Sequence, residues 1–124
     1  MIRKLLAAAG ILTLFLVLQA QTPKTTTVEG FIIDNMCAGD HAKEAGFLDR
    51  VQKHKTSCAL MESCVSSGYA VFTSDAKLYK FDNEGNSKAV ELLKGTKTKA
   101  GVPIIVEGTI DGDTIKVAKI TEKS

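Results

Sequence analysis

The chain has 124 residues, with 16 basic against 14 acidic side chains, three cysteines, two histidines and no tryptophan. That length allows one small domain and excludes a multidomain assembly. A formal charge of +2 with only 6% aromatic residues argues against a nucleic-acid partner, which needs a basic surface to meet phosphates.

In chain order, Arg3 and Lys4 form a short positive start, and Leu5 to Leu18 is almost wholly apolar. This run is shorter than the roughly 20 residues of a membrane span and suits the apolar core of a secretory signal peptide. Residues 1–20 are therefore expected to be removed after Ala20, leaving a domain of about a hundred residues. The cut takes away Arg3 and Lys4 and no acid, so the positive excess belongs to the leader. No cysteine lies near the cut, which speaks against a lipid anchor. The product is expected to be exported, periplasmic or extracellular, with no membrane contact once the leader is gone.

Residues 21–27 read as a disordered polar tether, followed by a domain over 28–122. Val28–Ile33 has the β-branched and aromatic character of a first strand, ended by Asp34-Asn35. Residues 35–68 break that pattern and hold every cysteine and both histidines. Tyr69–Thr73 and Leu78–Phe81 make a hairpin, and residues 82–86 carry turn chemistry around Gly85. A short helix follows, capped by Asn86 or Ser87, with Ala89, Val90 and Leu93 on one face and Gly95 as its stop. After a basic loop over residues 96–101, Val102–Ile110 and Thr114–Ile120 form the last hairpin around Asp111-Gly112-Asp113. The expected fold is mainly β, a five-stranded barrel with one helix between strands 3 and 4 and a helical cysteine-rich insert between strands 1 and 2.

The insert carries the chemistry. Ser57 reads as the N-cap of a helix from Cys58 to Ser67, with Gly68 as its stop and Leu60, Met61, Cys64 and Val65 on its core face. Cys58 falls in the first turn, where a thiolate is favoured, which makes it the reactive-thiol candidate. Along such a helix Cys58 and Cys64 stand about 9 Å apart, beyond the roughly 4.4–6.8 Å that a disulfide spans between Cα atoms. An internal bridge then needs Cys37, paired with Cys58 or Cys64. A second reading is a metal site. Cys37 with His41, and His54 with Cys58, are two i, i+4 pairs that together suit tetrahedral Zn²⁺, or Cu⁺ if Met36 or Met61 contributes. A thiol-dependent redox enzyme built on Cys58 and His54 is the third reading. It lacks a Cys-x-x-Cys and a third orienting group. Asp34, Asp40, Asp49 and Glu62 include no pair with acid–base spacing, and Asp34 reads as a strand-end turn residue. Lys94, Lys97 and Lys99 read as a solvated loop.

The order strand, insert, strand, strand, helix, strand, strand is that of the OB-fold, whose loops 1–2 and 4–5 face ligands. Val106-x-Gly108-x-Ile110, with the turn and Ile115-Lys-Val117, resembles the closing hairpin of small bacterial OB-fold domains. The pattern Cys-x3-His, His-x3-Cys-x5-Cys and Gly-Tyr resembles small secreted bacterial proteins of unassigned function. The expectation is a monomeric binding module holding Zn or Cu in its insert. The alternative is a disulfide-stapled domain for a small ligand or protein partner, and an enzyme is the less expected class.

Overall fold

The computed structural model describes residues 24–124. The expected signal peptide, and residues 21–23 of the expected tether, lie outside them. Five strands, β1 (Thr26–Asp34), β2 (Tyr69–Phe72), β3 (Leu78–Phe81), β4 (Pro103–Asp111) and β5 (Thr114–Glu122), hydrogen-bond in the order β1-β2-β3-β5-β4 and close into a ring. Every neighbouring pair is antiparallel except β3 and β5, which run parallel over Lys80↔Thr114 and Phe81↔Ile115. β1 closes the ring because it serves two partners. Its first part pairs with β4 and its last part with β2, the exchange falling at Phe31, which faces both Pro103 and Phe72.

Around the ring lie α1 (Asn35–Ala38), α2 (Phe47–Gln52), α3 (Thr56–Ala59) and α4 (Glu62–Ser67) of the insert, and α5 (Asn83–Gly95) between β3 and β4. Helix and strand take comparable shares of the described chain, so the fold is mixed where a mainly β one was expected. The strand positions agree closely with expectation at the centre and differ at the ends. β1 begins at Thr26 because Thr26 and Thr27 pair with Gly108 and Glu107, taking the end of the expected tether into the sheet. β5 runs on to Glu122, which pairs with Ile104. The expected turn over residues 82–86 opens α5 instead: Asp82, with extended backbone, accepts the Gly85 N–H at 3.0 Å and caps the helix ahead of Asn86 and Ser87.

Two cores explain the apolar run of β2. Ile32, Val71, Phe81, Leu93, Ile104 and Ile115 belong to the interior of the ring. Ile33, Ala70 and Phe72 point the other way and join Ala38, Phe47 and Val51 of the insert. Alternation sends successive side chains of one strand to opposite faces, so β1 and β2 are buried on both faces where the insert covers them. Phe47 meets Phe72 edge to face, with centroids 4.9 Å apart. Each such large apolar side chain contributes about 1.5–3 kcal/mol on burial, and this second core is what makes the short helices α1 and α2 persist, while Ala59 of α3 and Val65 of α4 pack on the first.

The far end of the insert is fastened to the loop before β4. Lys55 bridges Ala100, Thr56 N–H donates to the Lys99 carbonyl at 2.9 Å, and Gly101 N–H donates to the His54 carbonyl at 3.0 Å. Gly101 sits at φ +61, and a Cβ there would stand 2.2 Å from the Gln52 carbonyl oxygen. Gly101→Ala is therefore expected to lower stability by about 2–3 kcal/mol, read as a lower urea midpoint with an unchanged slope.

Candidate metal and thiol centre

Asp34 ends β1, pairs with Tyr69 of β2 and is fully buried. Its extended backbone makes it the N-cap of α1, and its Oδ2 accepts the Cys37 N–H at 2.8 Å. Its other oxygen, Oδ1, accepts from His54 Nε2 at 2.9 Å, across twenty residues of sequence. Burial pushes the carboxyl up, but the bonds from His54 and from the Cys37 amide and thiol outweigh it and hold Asp34 below its ordinary value. The carboxylate is therefore ionised and acceptor-only.

Two sulfurs share this position. Cys37 comes from α1 and Cys64 from α4, and an Asp34 oxygen and both Sγ atoms all lie within 4.8 Å of one another. The two helices are held together by Asn35, whose N–H donates to the Gly68 carbonyl and whose Nδ2 donates to the Ser67 carbonyl, each at 2.9 Å. Ser67 Oγ accepts the Met36 N–H at 3.0 Å. Burial and the adjacent Asp34 charge push the Cys37 thiol up to about 12, and the same two causes raise Cys64. Tyr69 is raised to about 12 by burial and by the same carboxylate. In the metal-free, reduced chain both thiols thus keep their protons at neutral pH.

The grouping differs from the one read off residue spacing. Of the expected metal ligands Cys37, His41, His54 and Cys58, the centre includes Cys37, and His54 is tied to it through Asp34. Neither i, i+4 pair lies on a continuous helix. α1 ends at Gly39 with φ +41, between Cys37 and His41, and extended Lys55 separates His54 from α3. His41 pairs instead with Glu44, its Nδ1 2.7 Å from Oε1, and is half exposed. Cys58 is a half-buried free thiol on α3 outside the three-ligand group.

The expected helix from Cys58 to Ser67 is broken. α3 starts at Thr56 after an uncapped Lys55, so Ser57 is not its N-cap, and Met61 turns extended ahead of α4. The break frees the Ala59 carbonyl, which Tyr69 Oη satisfies from the core at 2.6 Å. It also turns Met61 outward, 57% exposed, where core burial was expected, while Cys64 is buried. Asp34 and Cys64 are the site residues that spacing did not single out for metal. The signal that points to Asp34 is Asp-x-x-Cys at a strand end, an N-cap with a thiol at the third helical position.

Among the described residues no helix is long and apolar enough to cross a membrane. Set against protein-family models, curated proteins and solved structures, the chain matches none.

Asp34→Ala removes a buried, paired charge and leaves His54 and the Cys37 amide without their acceptor. The expected cost is about 3 kcal/mol, measured by denaturant unfolding at pH 7. Because Asp34 titrates lower when folded, its contribution is complete above its ordinary value of 3.8 and fades as the pH drops through the lower folded value. The wild type should lose stability over that acid interval, and Asp34→Ala should show a flatter profile. Alkylation of Cys37 and Cys64 in the reduced, metal-free fold at pH 7.5 is expected to be at least about tenfold slower than in the unfolded chain, by peptide mapping against time.

Proposed function

We propose that the chain is an exported OB-type barrel module whose insert between β1 and β2 holds a soft or borderline ion, Zn²⁺ or Cu⁺, on Asp34, Cys37 and Cys64. The observation that carries this reading is the convergence of one carboxylate oxygen and two sulfurs within 4.8 Å, at a buried junction of a strand and two short helices. The donor set fits the chemistry. Two sulfurs with one oxygen suit Zn²⁺ at about 2.3 Å and 2.0–2.2 Å respectively, and sulfur donors suit Cu⁺. Three protein ligands leave a position for an outside donor. His54 acts from behind, fixing the carboxylate by its hydrogen bond. The strand order and the helix between β3 and β4 support the OB-type reading, and the basic, apolar start of the sequence supports export.

The proximity of Cys37 to Cys64 also favours a second reading, a structural disulfide between them with Cys58 left free. Such a bridge would contribute roughly 3–4 kcal/mol in the chain-entropy model, a common device in small exported domains.

Intact-mass spectrometry of the exported chain, native and denatured, with thiol labelling, separates the two. The metal centre predicts a native mass raised by one Zn or Cu ion, lost in Asp34→Asn and in Cys64→Ser, with all three cysteines labelled after unfolding and chelation. A mass two hydrogens light, with Cys58 alone labelled, would establish the staple and retire the metal. The same spectrum reads the start of the mature chain, expected at Gln21.

A further inference from the structure

A cleft of about 310 Å³ opens onto Cys37, and Met36, His41 and His54 stand on its walls. The lining of a single opening thus carries one thiol, one thioether and two imidazoles, spaced more widely than the three donors of the inner centre, so that a bound ion must draw the exposed Met36 and His41 side chains inward. Both imidazoles are held by carboxylates, which only accept hydrogen bonds. His41 Nδ1–H donates to Glu44 Oε1 at 2.7 Å, and Glu44 is itself fixed by Arg50 at 3.1 Å. His54 Nε2–H donates to Asp34 Oδ1 at 2.9 Å. In the neutral rings the lone pairs therefore sit on His41 Nε2 and His54 Nδ1, and among the described residues neither atom has a hydrogen-bond partner. A carboxylate on one ring nitrogen is the arrangement that orients metal-ligating histidines through the other. Met36 exposes 57% of its surface at the same opening. Its thioether is a poor ligand for Zn²⁺ and a good one for Cu⁺.

We propose that this cleft is a loading site for Cu⁺, with Met36, Cys37, His41 and His54 as its donors and with Cys37 shared with the inner centre. The inference rests on the metal-centre reading and names its ion. Copper stays Cu⁺ throughout. Loading exchanges one donor for another, and the Cys37 proton passes to water when the sulfur binds. The open side makes the site one for receiving and releasing an ion, in contrast to the closed shell of a structural zinc.

The test is an anaerobic titration of the reduced full chain with Cu⁺ against the chromogenic chelator bathocuproine disulfonate, alongside Zn²⁺ against a chromogenic zinc chelator. The variants are Met36→Leu, His41→Gln and Cys64→Ser. Met36 and the His41 side chain are more than half exposed, so the first two should fold normally, as circular dichroism will report. The expected result is Cu⁺ affinity lowered about tenfold or more in Met36→Leu and in His41→Gln, with Zn²⁺ affinity essentially unchanged in both. Unchanged Cu⁺ affinity in both variants, with binding lost in Cys64→Ser, would overturn the loading site and leave the inner centre standing. A wild-type chain that binds neither ion would overturn both.

Discussion

A carboxylate taken out of water must be surrounded by donors, and Asp34 gathers its donors from separate stretches of the chain. The Cys37 amide comes from the helix it caps, and the His54 imidazole from the linker between α2 and α3. Left unpaired at this depth, the charge would cost several kcal/mol. That demand fixes the entry of the insert and the position of His54. Cys37 then approaches Cys64 because Asn35, at the start of α1, is clamped to Ser67 and Gly68 at the end of α4.

The insert is accordingly a small second fold laid partly on the outside of a ring and partly against its interior core. Its helices are too short to stand on intrinsic propensity, since isolated helices need about 12–15 residues to persist in water. α1 and α2 persist because Ala38, Phe47 and Val51 reach the outer faces of β1 and β2, where Ile33, Ala70 and Phe72 wait, and α3 and α4 because Ala59 and Val65 pack on the interior cluster. Arg50 lies over the Phe47 ring, 5.6 Å from its centroid, and also holds Glu44. The packing that stabilises α2 thereby steadies the carboxylate that orients His41.

The ring was largely legible in the sequence. The alternation of Ile115 and Val117 with Lys116, and the turn at Asp111-Gly112-Asp113, place the last hairpin without tertiary information, because strand patterning and turn chemistry are local. The apolar run of β2 reads as a strand from sequence alone, whereas its burial on both faces follows from the insert that covers it. The insert was legible in content and not in geometry. Spacing arguments for Cys37 with His41, and for His54 with Cys58, assume a continuous helix, and the chain leaves helical conformation within both pairs. The break at Leu60-Met61 carries neither glycine nor proline. It is imposed from a distance by the core, where Tyr69 takes the freed Ala59 carbonyl. Asp34 looked like any acid after a strand, since what distinguishes it is burial against Tyr69, which pairing alone decides.

The pairing of Asp34 with Tyr69 has a consequence for how this region can vary. Three donors converge because the pairing register of β1 with β2 aligns the end of one strand with the start of the other, and a slip of a single residue would turn the carboxylate to the opposite face. Residues 39–46, by contrast, supply none of the three inner donors and run over the surface. The centre is thus a frame of two short segments, 34–37 and 64–69, braced by His54 and by the packing of Phe47 and Val51, with the surface connection 39–46 free to change length. Lengthening or shortening that connection would remodel the walls of the cleft while leaving its floor in place, so that access to the sulfur can diverge independently of the sulfur's own setting.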